Sequence, residues 1–515
     1  MSPVFQSHNA RTGETLPGEF PEATSEQIDA ALRAAADAFR TYRNAPVETR
    51  ALFLERIAAG TEAAAEDLIE LADQETGLGR PRLPGELVRA CNGARMFAAM
   101  LREGSWVDAR IDTAIPDRKP APKPDIRLMH HPVGPVVVFG ASNFPFAISV
   151  IGTDTVSALA VGCPVVVKAH PAHPHTCDRL AAIVKSAALE SGLPDGVFAM
   201  VHGRSNEVGT ALVAHPLTEA VAFTGSLRGG RALFDVAAKR DRPVPVYAEM
   251  GSLNPVFLLP RALATRAEQI AEGFVASLTL GTGQFCTNPA MVLAQGGAEL
   301  DLFLNEAGRR VAAVAPASML HRGIHQAYEQ GVNRIQILSE VLVTAKASGA
   351  DLSKGQAAAV LFETASETYF KHREVLREEV FGPSSVVLRC PEPSEMVRFA
   401  ESMDGSLSAT VHGTPEDLEE YRELIDVLQT KTGRLVINGY PTGLEVCPSL
   451  HHGGPYPAAT HSFFTSIGLN SYLRFVRPFC FQDVPEMLLP EELKNHNPRG
   501  IWRMVNNVRT QSPVG

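Results

Sequence analysis

One cysteine of this sequence, Cys286, lies in the stretch GTGQFCTNP (281–289), among glycines and small polar residues. A buried structural cysteine usually has apolar neighbours, whereas glycine-rich backbone can approach a ligand closely, as a covalent site requires. A thiolate is an effective nucleophile at neutral pH only where its surroundings lower its pKa or supply a base. Cys286 is therefore a candidate nucleophile, with an incidental cysteine in a surface loop as the alternative.

A glutamate and an asparagine elsewhere in the sequence have the chemistry to assist such a thiol. Glu249, in YAEMGSLNP, could activate water to hydrolyse a thioester. Asn143, in GASNFPF, could donate a hydrogen bond to an oxyanion together with the backbone N–H of Cys286. Each also fits a plain structural role: an exposed charge at a strand end for Glu249, and a turn residue before Pro145 for Asn143.

The stretch FTGSLRGG (223–230) could bind a phosphate group. An apolar run leads through Gly225 and Ser226 into a helical stretch whose first backbone N–H groups could hold a pyrophosphate. The stretch matches neither the GxGxxG nor the Walker pattern, so by itself it is a weak motif. It gains meaning only from the elements that surround it.

Those surrounding elements predict a parallel, doubly wound α/β sheet, because short apolar runs alternate with helical stretches. The predicted strands are 135–140, 164–170, 197–203, 220–226 and 244–251, and the predicted helices between them are 145–161, 176–191, 206–214 and 227–238. Ligands bind at the carboxyl ends of such strands. Those ends carry Gly140 to Asn143, Lys168, Gly225 with Ser226, and Glu249.

The rest of the chain predicts helices, a second lobe and a tail. Helical periodicity covers 24–39, about 47–76 and about 84–101. A proline-rich stretch (115–132) follows as a linker or an extended edge element. A second alternating block, about 254–436, predicts another α/β lobe that begins near Cys286. The tail after Pro485 is polar and proline-spaced, and we expect it to drape over a neighbour.

Length and composition indicate a globular protein of two or three lobes, since 515 residues exceed one ordinary core. The net charge of −10 argues against a nucleic-acid-binding surface. Seven scattered cysteines without a CxxC pair argue against a disulfide framework and a metal site, and favour a reducing compartment. The sequence shows no secretory signal and no membrane-spanning stretch, so it predicts a cytoplasmic protein without a membrane partner.

The motifs FTGS, AEMG, GQFC and EEVFGP (378–383), taken together, resemble the aldehyde dehydrogenase superfamily in their order and spacing over nearly the whole chain. The resemblance implies that Cys286 is the nucleophile, Glu249 the general base and Asn143 the oxyanion donor. The resemblance also implies a cofactor, NADP or NAD. It implies that Lys168 holds the adenosine ribose of this cofactor and that Glu379 holds the nicotinamide ribose. The remaining implied cofactor contacts are Ala141, Ser142, Gly225, Ser226 and, beside the nicotinamide, Phe381.

The family fold implies three parts: a Rossmann-like cofactor domain, an α/β catalytic domain and a small β arm for oligomerisation. In this sequence, 1–118 and 138–250 are assigned to the cofactor domain, and 251–471 to the catalytic domain. Residues 119–137 and 472–515 are assigned to the oligomerisation arm and the C-terminal tail. The resemblance therefore predicts a homodimer or a homotetramer.

The chain departs from the family's commonest pattern at three places. In EMGSL, Ser252 and Leu253 replace a usual glycine and lysine. After the second strand, Pro171 stands where many NAD-preferring members carry a glutamate that grips the ribose 2′-hydroxyl, so a 2′-phosphate becomes acceptable. Arg204 is a candidate partner for that phosphate, with a solvated surface arginine as the alternative. The third departure is the segment HHGGPYPAATHSFFTSIG (451–468).

That segment, together with KAHPAHPHT (168–176) and GSLNPVF (251–257), resembles one branch of the superfamily. This branch holds the 2,5-dioxovalerate (α-ketoglutaric semialdehyde) dehydrogenases and the NADP-linked fatty-aldehyde dehydrogenases. The semialdehyde is the expected substrate, and its carboxylate needs a cationic clamp. Arg89 and Arg95 are candidates by analogy with the helix that lines the family's substrate tunnel, although their spacing does not put both on one face. The tunnel wall is predicted from a helical face with Phe144, Ala147 and Ile151.

Three alternatives are open at this point. The chain could be a long-chain aldehyde oxidiser with an apolar tunnel, a CoA-acylating member, or a catalytically silent structural protein that keeps the fold. Glu249 counts against CoA acylation, because hydrolytic members use that base. The joint presence of Cys286, Glu249, Asn143 and Lys168 counts against a silent protein.

Overall fold

A computed structural model describes residues 3–514 of the chain. Its first sheet has five parallel strands whose apolar side chains are buried, as expected of a sheet covered on both faces. The predicted parallel α/β architecture is confirmed, and the carboxyl ends of the strands share one edge. In spatial order the strands are Phe198–Val201, Val165–Lys168, Val136–Phe139, Ala220–Thr224 and Val246–Glu249.

Helices precede this sheet in the chain and alternate with its strands. The long helix predicted over 47–76 is interrupted at Ala64, whose backbone leaves the helical region. The helices are Ser25–Tyr42, Val47–Ala63, Ala65–Thr76, Leu83–Glu103, Thr153–Val161, Pro174–Glu190, Asn206–Ala214 and Leu227–Ala238.

The prediction of a helix over 145–161 is wrong for the first half of that range. Residues 145–152 form turns and bends, and the helix begins only at Thr153. The chain folds back so tightly here that a Cβ on Gly152 would lie 2.6 Å from the backbone oxygen of Ala147. Phe144, Ala147 and Ile151 therefore do not share a helical face.

The second sheet has seven strands and forms the core of the later part of the chain. All its neighbouring strands are parallel except the first two, which are antiparallel. In spatial order they are Leu342–Lys346, Val360–Ala365, Ser384–Cys390, Met291–Gln295, Val256–Leu258, Ser406–His412 and Thr432–Ile437. The helices of this part are Pro260–Thr279, Ala298–Ala312, Arg322–Gln336, Ser366–Lys371, Arg373–Leu376, Pro393–Ser402, Pro415–Glu420 and Arg422–Lys431.

A third sheet joins the middle of the chain to its end. Ile126–Pro132 pairs antiparallel with Val476–Gln482, so the two predicted arm segments do meet. Arg110–Asp112, which the sequence assigns to the cofactor domain, belongs to this sheet as well. The sheet is completed by Arg503–Val505 and Val508–Thr510. Two small hairpins pair Val4–Phe5 with Phe20–Pro21 and Ala317–Ser318 with Gln356–Ala357.

The C-terminal tail packs on its own chain. Leu493 and Ile501 are buried in the core that includes the first sheet, and Arg503–Val505 pairs with Arg110–Asp112. The expectation that the tail also drapes over a neighbour stays a prediction. None of the helices within residues 3–514 has the length and apolar composition needed to cross a membrane.

Candidate active site

The turn that carries Cys286 is fixed by close backbone packing and by one buried asparagine. Gly283 has a φ of +66°, and a Cβ there would lie 2.3 Å from the backbone of Gly382, so no side chain fits. Nδ2 of Asn254 donates hydrogen bonds to the backbone oxygens of Cys286 (2.9 Å) and Asn288 (3.0 Å). Cys286, which is half-buried as a residue, is thereby carried by a turn whose backbone is held at two oxygens.

Ser252, one of the departures from the family pattern, supports this asparagine. Its hydroxyl donates a hydrogen bond to Oδ1 of Asn254 (2.8 Å) and accepts one from the N–H of Leu407 (2.9 Å). Asn254 is fully buried with a φ of +47°, a conformation that asparagine tolerates better than most residues. Leu253 packs against the core of the second sheet. Ser252 therefore helps to hold the turn of the nucleophile.

Glu249 ends the last strand of the first sheet, and the segment 451–468 covers that edge. Backbone hydrogen bonds pair residues 458–460 with the strand, which gives an otherwise open edge a partner. Glu249 is buried, with 4% of its surface exposed. Ser466 of the same segment donates a hydrogen bond to its carboxylate. The segment 451–468, where the chain departs from the family pattern, therefore forms part of the surroundings of the candidate base.

His452 is a site residue that the sequence reasoning missed. Its Nε2 lies 3.4 Å from Sγ of Cys286 and 3.3 Å from Oε1 of Glu249, and the ring is buried. One atom from each of the three side chains lies within 4.8 Å of the others. The available signal was the pair of histidines that opens the segment 451–468, where the chain departs from the family pattern.

Burial and charge set the ionisation of this cluster. Burial raises the pKa of the Cys286 thiol well above its ordinary value, and the negative charge of Glu249 raises it further. Burial also acts to raise the pKa of Glu249, but the charge of His452 and hydrogen bonds from His452 and Ser466 outweigh it, so the pKa is lowered. The resting cluster therefore holds a thiol beside a carboxylate, with Nε2 of His452 within reach of both.

Asn143 lies against the turn of the nucleophile. The side chain is buried, and its Nδ2 donates a hydrogen bond to the backbone oxygen of Gln284 (3.2 Å), two residues before Cys286. A primary amide has two N–H donors, so the second remains for an oxyanion. The amide is therefore positioned to serve as an oxyanion donor.

Two residues at the start of the helix Leu83–Glu103 hold the Asn143 turn, and the sequence analysis did not identify them. The Arg82 guanidinium donates to the backbone oxygen of Asn143 and lies 4.7 Å from the ring centres of both Phe144 and Phe285. Oε1 of Glu86 accepts hydrogen bonds from the N–H groups of residues 146 (2.9 Å) and 147 (3.2 Å). Arg82 and Glu86 also approach each other to 3.6 Å.

A cavity of about 630 Å³ opens onto Cys286 and is lined mostly by apolar side chains. Of the three residues predicted for its wall, Phe144 and Ala147 line it, whereas Ile151 packs into the core and Ile148 lines the cavity instead. The helix Leu83–Glu103 contributes Arg89, Ala90 and Gly93. The other lining residues are Thr153, Val156, Phe285, Thr287, Thr442, Leu444, Val446 and Ile467.

The two arginines proposed as a carboxylate clamp lie in different surroundings. Arg89 lines the cavity with its guanidinium 5.2 Å from the ring centre of Phe144, and it makes no ion pair with any residue from 3 to 514. Its buried Nε has no hydrogen-bond partner in the same part of the chain. Arg95 instead pairs with Glu62 (2.6 Å) at the surface, so the clamp role predicted for Arg95 is wrong.

The carboxyl edge of the first sheet offers the groups that a dinucleotide needs. Lys168 ends its strand with no ion pair among residues 3–514, and burial lowers its pKa to about 8. Gly225 is exposed, and Ser226 caps the helix Leu227–Ala238 by accepting from the N–H of Gly229 (3.2 Å). The first N–H groups of that helix therefore remain free for a pyrophosphate. The residues fit NAD or NADP.

The other residues predicted to contact the cofactor vary in exposure. Ala141 is buried, and its backbone oxygen is 2.9 Å from Nε2 of His173, while Ser142 is half-buried. Arg204 is exposed. Glu379 and Phe381 are half-buried on the second-sheet side, where burial raises the pKa of Glu379 to about 8.

A nucleophile, a base and a dinucleotide-binding edge on this fold define an aldehyde dehydrogenase. The model of the aldehyde dehydrogenase family matches residues 2–475, so the chain belongs to that family and is an enzyme that oxidises aldehydes with NAD or NADP. It is 46% identical over 485 residues to alpha-ketoglutaric semialdehyde dehydrogenase 2 of Azospirillum brasilense, covering 94% of this chain and 92% of that protein.

A second relative agrees with this assignment, and two solved structures share the fold. Alpha-ketoglutaric semialdehyde dehydrogenase of Acinetobacter baylyi is 42% identical over 512 residues, covering 99% of this chain and 97% of that protein. The structure of 1-pyrroline-5-carboxylate dehydrogenase from Thermus with bound NAD has a TM-score of 0.77 at 22% sequence identity. The match covers 94% of this chain and 90% of that one. The NAD⁺ complex of an aldehyde dehydrogenase from Bacillus cereus also has a TM-score of 0.77 at 22% sequence identity, and the match covers 93% of each chain. Both structures support the fold.

Proposed function

We propose that this enzyme oxidises α-ketoglutaric semialdehyde (2,5-dioxovalerate) to 2-oxoglutarate through a thioester on Cys286. The observation that carries the proposal is the free guanidinium of Arg89 in an apolar cavity that opens onto the nucleophile. Apart from its approach to the ring of Phe144, that guanidinium has no ion pair or hydrogen bond among residues 3–514, and a bound anion would stabilise it. The substrate's carboxylate is such an anion, and both relatives named above are dehydrogenases of this semialdehyde.

In the proposed mechanism, Cys286 attacks the aldehyde carbon. His452 accepts the thiol proton, because its Nε2 lies 3.4 Å from the sulfur. Asn143 and the backbone N–H of Cys286 donate hydrogen bonds to the oxyanion that forms. A bound nicotinamide ring supplies the hydride acceptor that makes oxidation to a thioester possible.

Hydrolysis of the thioester is assigned to Glu249. Its carboxylate is ionised over the physiological pH range, since its pKa is lowered by His452 and Ser466 despite burial. It takes a proton from the attacking water, the C–S bond breaks, and 2-oxoglutarate leaves. The presence of this base favours hydrolysis over acyl transfer to CoA.

We further propose that NADP is preferred over NAD. Pro171 offers no carboxylate to the ribose 2′-hydroxyl, and Arg204 is exposed beyond the strand next to Lys168. A 2′-phosphate would therefore meet cations without a repelling carboxylate from residue 171. We also propose a homodimer or homotetramer, because Val476–Gln482 is an edge strand that carries exposed residues.

A second candidate substrate is a long-chain fatty aldehyde, because most residues that line the cavity are apolar. The discriminating experiment follows reduced cofactor by absorbance with 2,5-dioxovalerate, succinate semialdehyde and a long-chain aldehyde, each with NAD and NADP and each with and without CoA. The proposal expects the highest kcat/KM for 2,5-dioxovalerate with NADP. A higher kcat/KM for the long-chain aldehyde would select the second candidate. Rates that require CoA would reject hydrolysis.

A further inference from the structure

A second cavity, of about 260 Å³, adjoins the catalytic cluster and has no assigned role. Glu249 and His452 line this second cavity, whereas Cys286 lines the substrate cavity. Most of its remaining wall comes from the segment 451–468, including Ser466 and His461. The cluster therefore lies between two cavities, one reached by the nucleophile and the other by the base.

The hydrolytic half of the reaction has to release a proton. Water adds its oxygen to the thioester carbon, the C–S bond breaks, and the products are a carboxylate, the Cys286 thiol and one proton. Glu249 can hold that proton only until the next turnover, because it must be a carboxylate again to act as a base. The substrate cavity is a poor exit, since substrate or product fills it while the thioester is hydrolysed.

We propose that the second cavity is the water and proton channel of Glu249, with Ser466 and His461 as its relay groups. This inference rests on the proposed role of Glu249 as the base. Oγ of Ser466 contacts Oε2 of Glu249 and also lies 3.0 Å from the backbone oxygen of His452. One hydroxyl proton thus has two acceptors.

The two acceptors let Ser466 follow the protonation of its neighbour. When Glu249 is ionised, Ser466 donates to it. When Glu249 is protonated, it donates to Ser466, which turns its own proton to the backbone oxygen of His452. Either state of Glu249 keeps its hydrogen bond. For onward transfer, the Ser466 hydroxyl turns from the backbone oxygen of His452 to a water in the second cavity, and it gives its own proton to that water as it takes the proton of Glu249.

His461 supplies the next group of the path. Its Nε2 is buried and has no hydrogen-bond partner within residues 3–514, although the residue as a whole is only half-buried. The ring packs against Tyr247 in the wall of the second cavity, with centres 5.4 Å apart and ring planes tilted by 56°. A buried imidazole nitrogen without a protein partner is satisfied by water where a cavity adjoins it. Water there would connect His461 to Ser466 and Glu249.

The test uses the full-length enzyme without cofactor and with p-nitrophenyl acetate, which acylates the Cys286 thiol and releases p-nitrophenolate. Excess ester is removed, and decay of the acyl-enzyme is followed by intact-protein mass spectrometry. We expect Ser466→Ala and His461→Phe to lengthen the acyl-enzyme half-life about tenfold, less than the roughly 10²–10⁴-fold of a direct acid–base group. Ser462→Ala, in the same segment but exposed and outside the cavity wall, should match wild type.

Two further variants separate a relay from a structural effect. In His461→Ala, added imidazole should shorten the half-life, because a small base can replace the missing ring. In a Glu249→Gln background, His461→Phe should cause no additional slowing, since both changes interrupt one path. Wild-type half-lives in both His461 variants, or full additivity with Glu249→Gln, would overturn the channel.

Failure of the proposed function gives a different result. If Cys286→Ala still forms the acyl-enzyme, or if Glu249→Gln alone deacylates at the wild-type rate, the assignment of the nucleophile or the base is wrong. If those two variants behave as expected while His461→Phe and Ser466→Ala have no effect, only the channel is rejected. Equal rates of p-nitrophenolate release in the first turnover show that the variants have kept the nucleophile intact.

Discussion

Nε2 of His452 lies 3.4 Å from Sγ of Cys286, and this contact joins two residues that are 166 positions apart. The same nitrogen is 3.3 Å from Oε1 of Glu249. A thiol whose pKa is raised by burial and by a carboxylate needs a proton acceptor within hydrogen-bond reach. His452 meets this requirement, and its position gives one imidazole access to both the nucleophile and the base.

Alkylation of Cys286 by iodoacetamide should report this arrangement. We expect His452→Gln to slow alkylation at pH 7 about tenfold, because the acceptor of the thiol proton is lost. Glu249→Gln should speed it, because removal of a negative charge lowers the thiol pKa. In wild type the rate should still rise between pH 7 and 9, since the raised pKa keeps the sulfur protonated at neutrality.

Peptide-level mass spectrometry measures the rate of Cys286 alkylation, and a second cysteine of the chain serves as an internal control. Cys480 lies on the strand Val476–Gln482 of the third sheet, so the substitutions should leave its labelling equal in all variants, whether or not that strand pairs with another subunit. A His452→Gln enzyme whose Cys286 reacts as fast as wild type would remove the histidine from proton transfer.

Arg89 and Arg95 form a matched pair for testing the substrate clamp. We expect Arg89→Ala to raise the KM for 2,5-dioxovalerate about 10- to 100-fold, the value of one charge-assisted hydrogen bond. The KM for an uncharged aldehyde of similar length should stay within about twofold, because no carboxylate is recognised. Arg95→Ala should leave both constants unchanged, since Arg95 pairs with Glu62 at the surface. An unchanged KM for 2,5-dioxovalerate in Arg89→Ala would eliminate the clamp.

Zinc should inhibit the enzyme at the same three side chains. Cys286, His452 and Glu249 offer sulfur, nitrogen and oxygen ligands within 4.8 Å of one another, a set that suits a tetrahedral Zn²⁺ ion with one water. Inhibition should strengthen from pH 6 to 8, because the metal must displace the thiol proton, and a chelator should reverse it. If His452→Gln is inhibited as strongly as wild type, the ion binds elsewhere.

The sequence predicted the parts of the site that depend on local pattern. Alternating apolar runs identified the first sheet, and strand ends placed Lys168, Gly225 and Glu249 on its carboxyl edge. The order of motifs then identified Cys286 as the candidate nucleophile. These residues can be found because periodicity and spacing are properties of short segments.

Contacts made between distant segments could not be predicted in this way. His452 meets Glu249 only because residues 458–460 pair with the open edge of the first sheet. The start of the helix at Thr153 depends on the turn before it, whose backbone is held by Glu86 from another helix. Neither contact could be predicted from helical periodicity, because periodicity shows which residues share a helical face and not which distant residues pack against them.

Glu86 should act as a positioning residue for the Asn143 turn. Glu86→Ala removes the acceptor of two backbone N–H groups, so we expect the rate of Cys286 acylation by p-nitrophenyl acetate to fall by up to roughly 10²-fold as the oxyanion donor is displaced. Glu86→Gln keeps an acceptor oxygen and should retain most of the rate. A purely structural role would change the melting temperature in both variants without this difference in acylation. Equal acylation in Glu86→Ala and wild type would separate the turn from oxyanion stabilisation.

The cofactor preference should depend on two positions beside the adenosine ribose site. Arg204→Ala should raise the Kd of NADP about tenfold through loss of one charge-assisted contact, and should leave the Kd of NAD unchanged. Pro171→Glu should weaken NADP by charge repulsion and strengthen NAD, because a carboxylate can accept a hydrogen bond from the 2′-hydroxyl. Quenching of protein fluorescence measures both constants without turnover. Arg40→Ala, on the exposed face of the helix Ser25–Tyr42, is the control for a lost surface charge. If Arg204→Ala raises the Kd of NAD and of NADP equally, this arginine contacts a part common to both cofactors. Arg204 would then not explain the proposed preference for NADP.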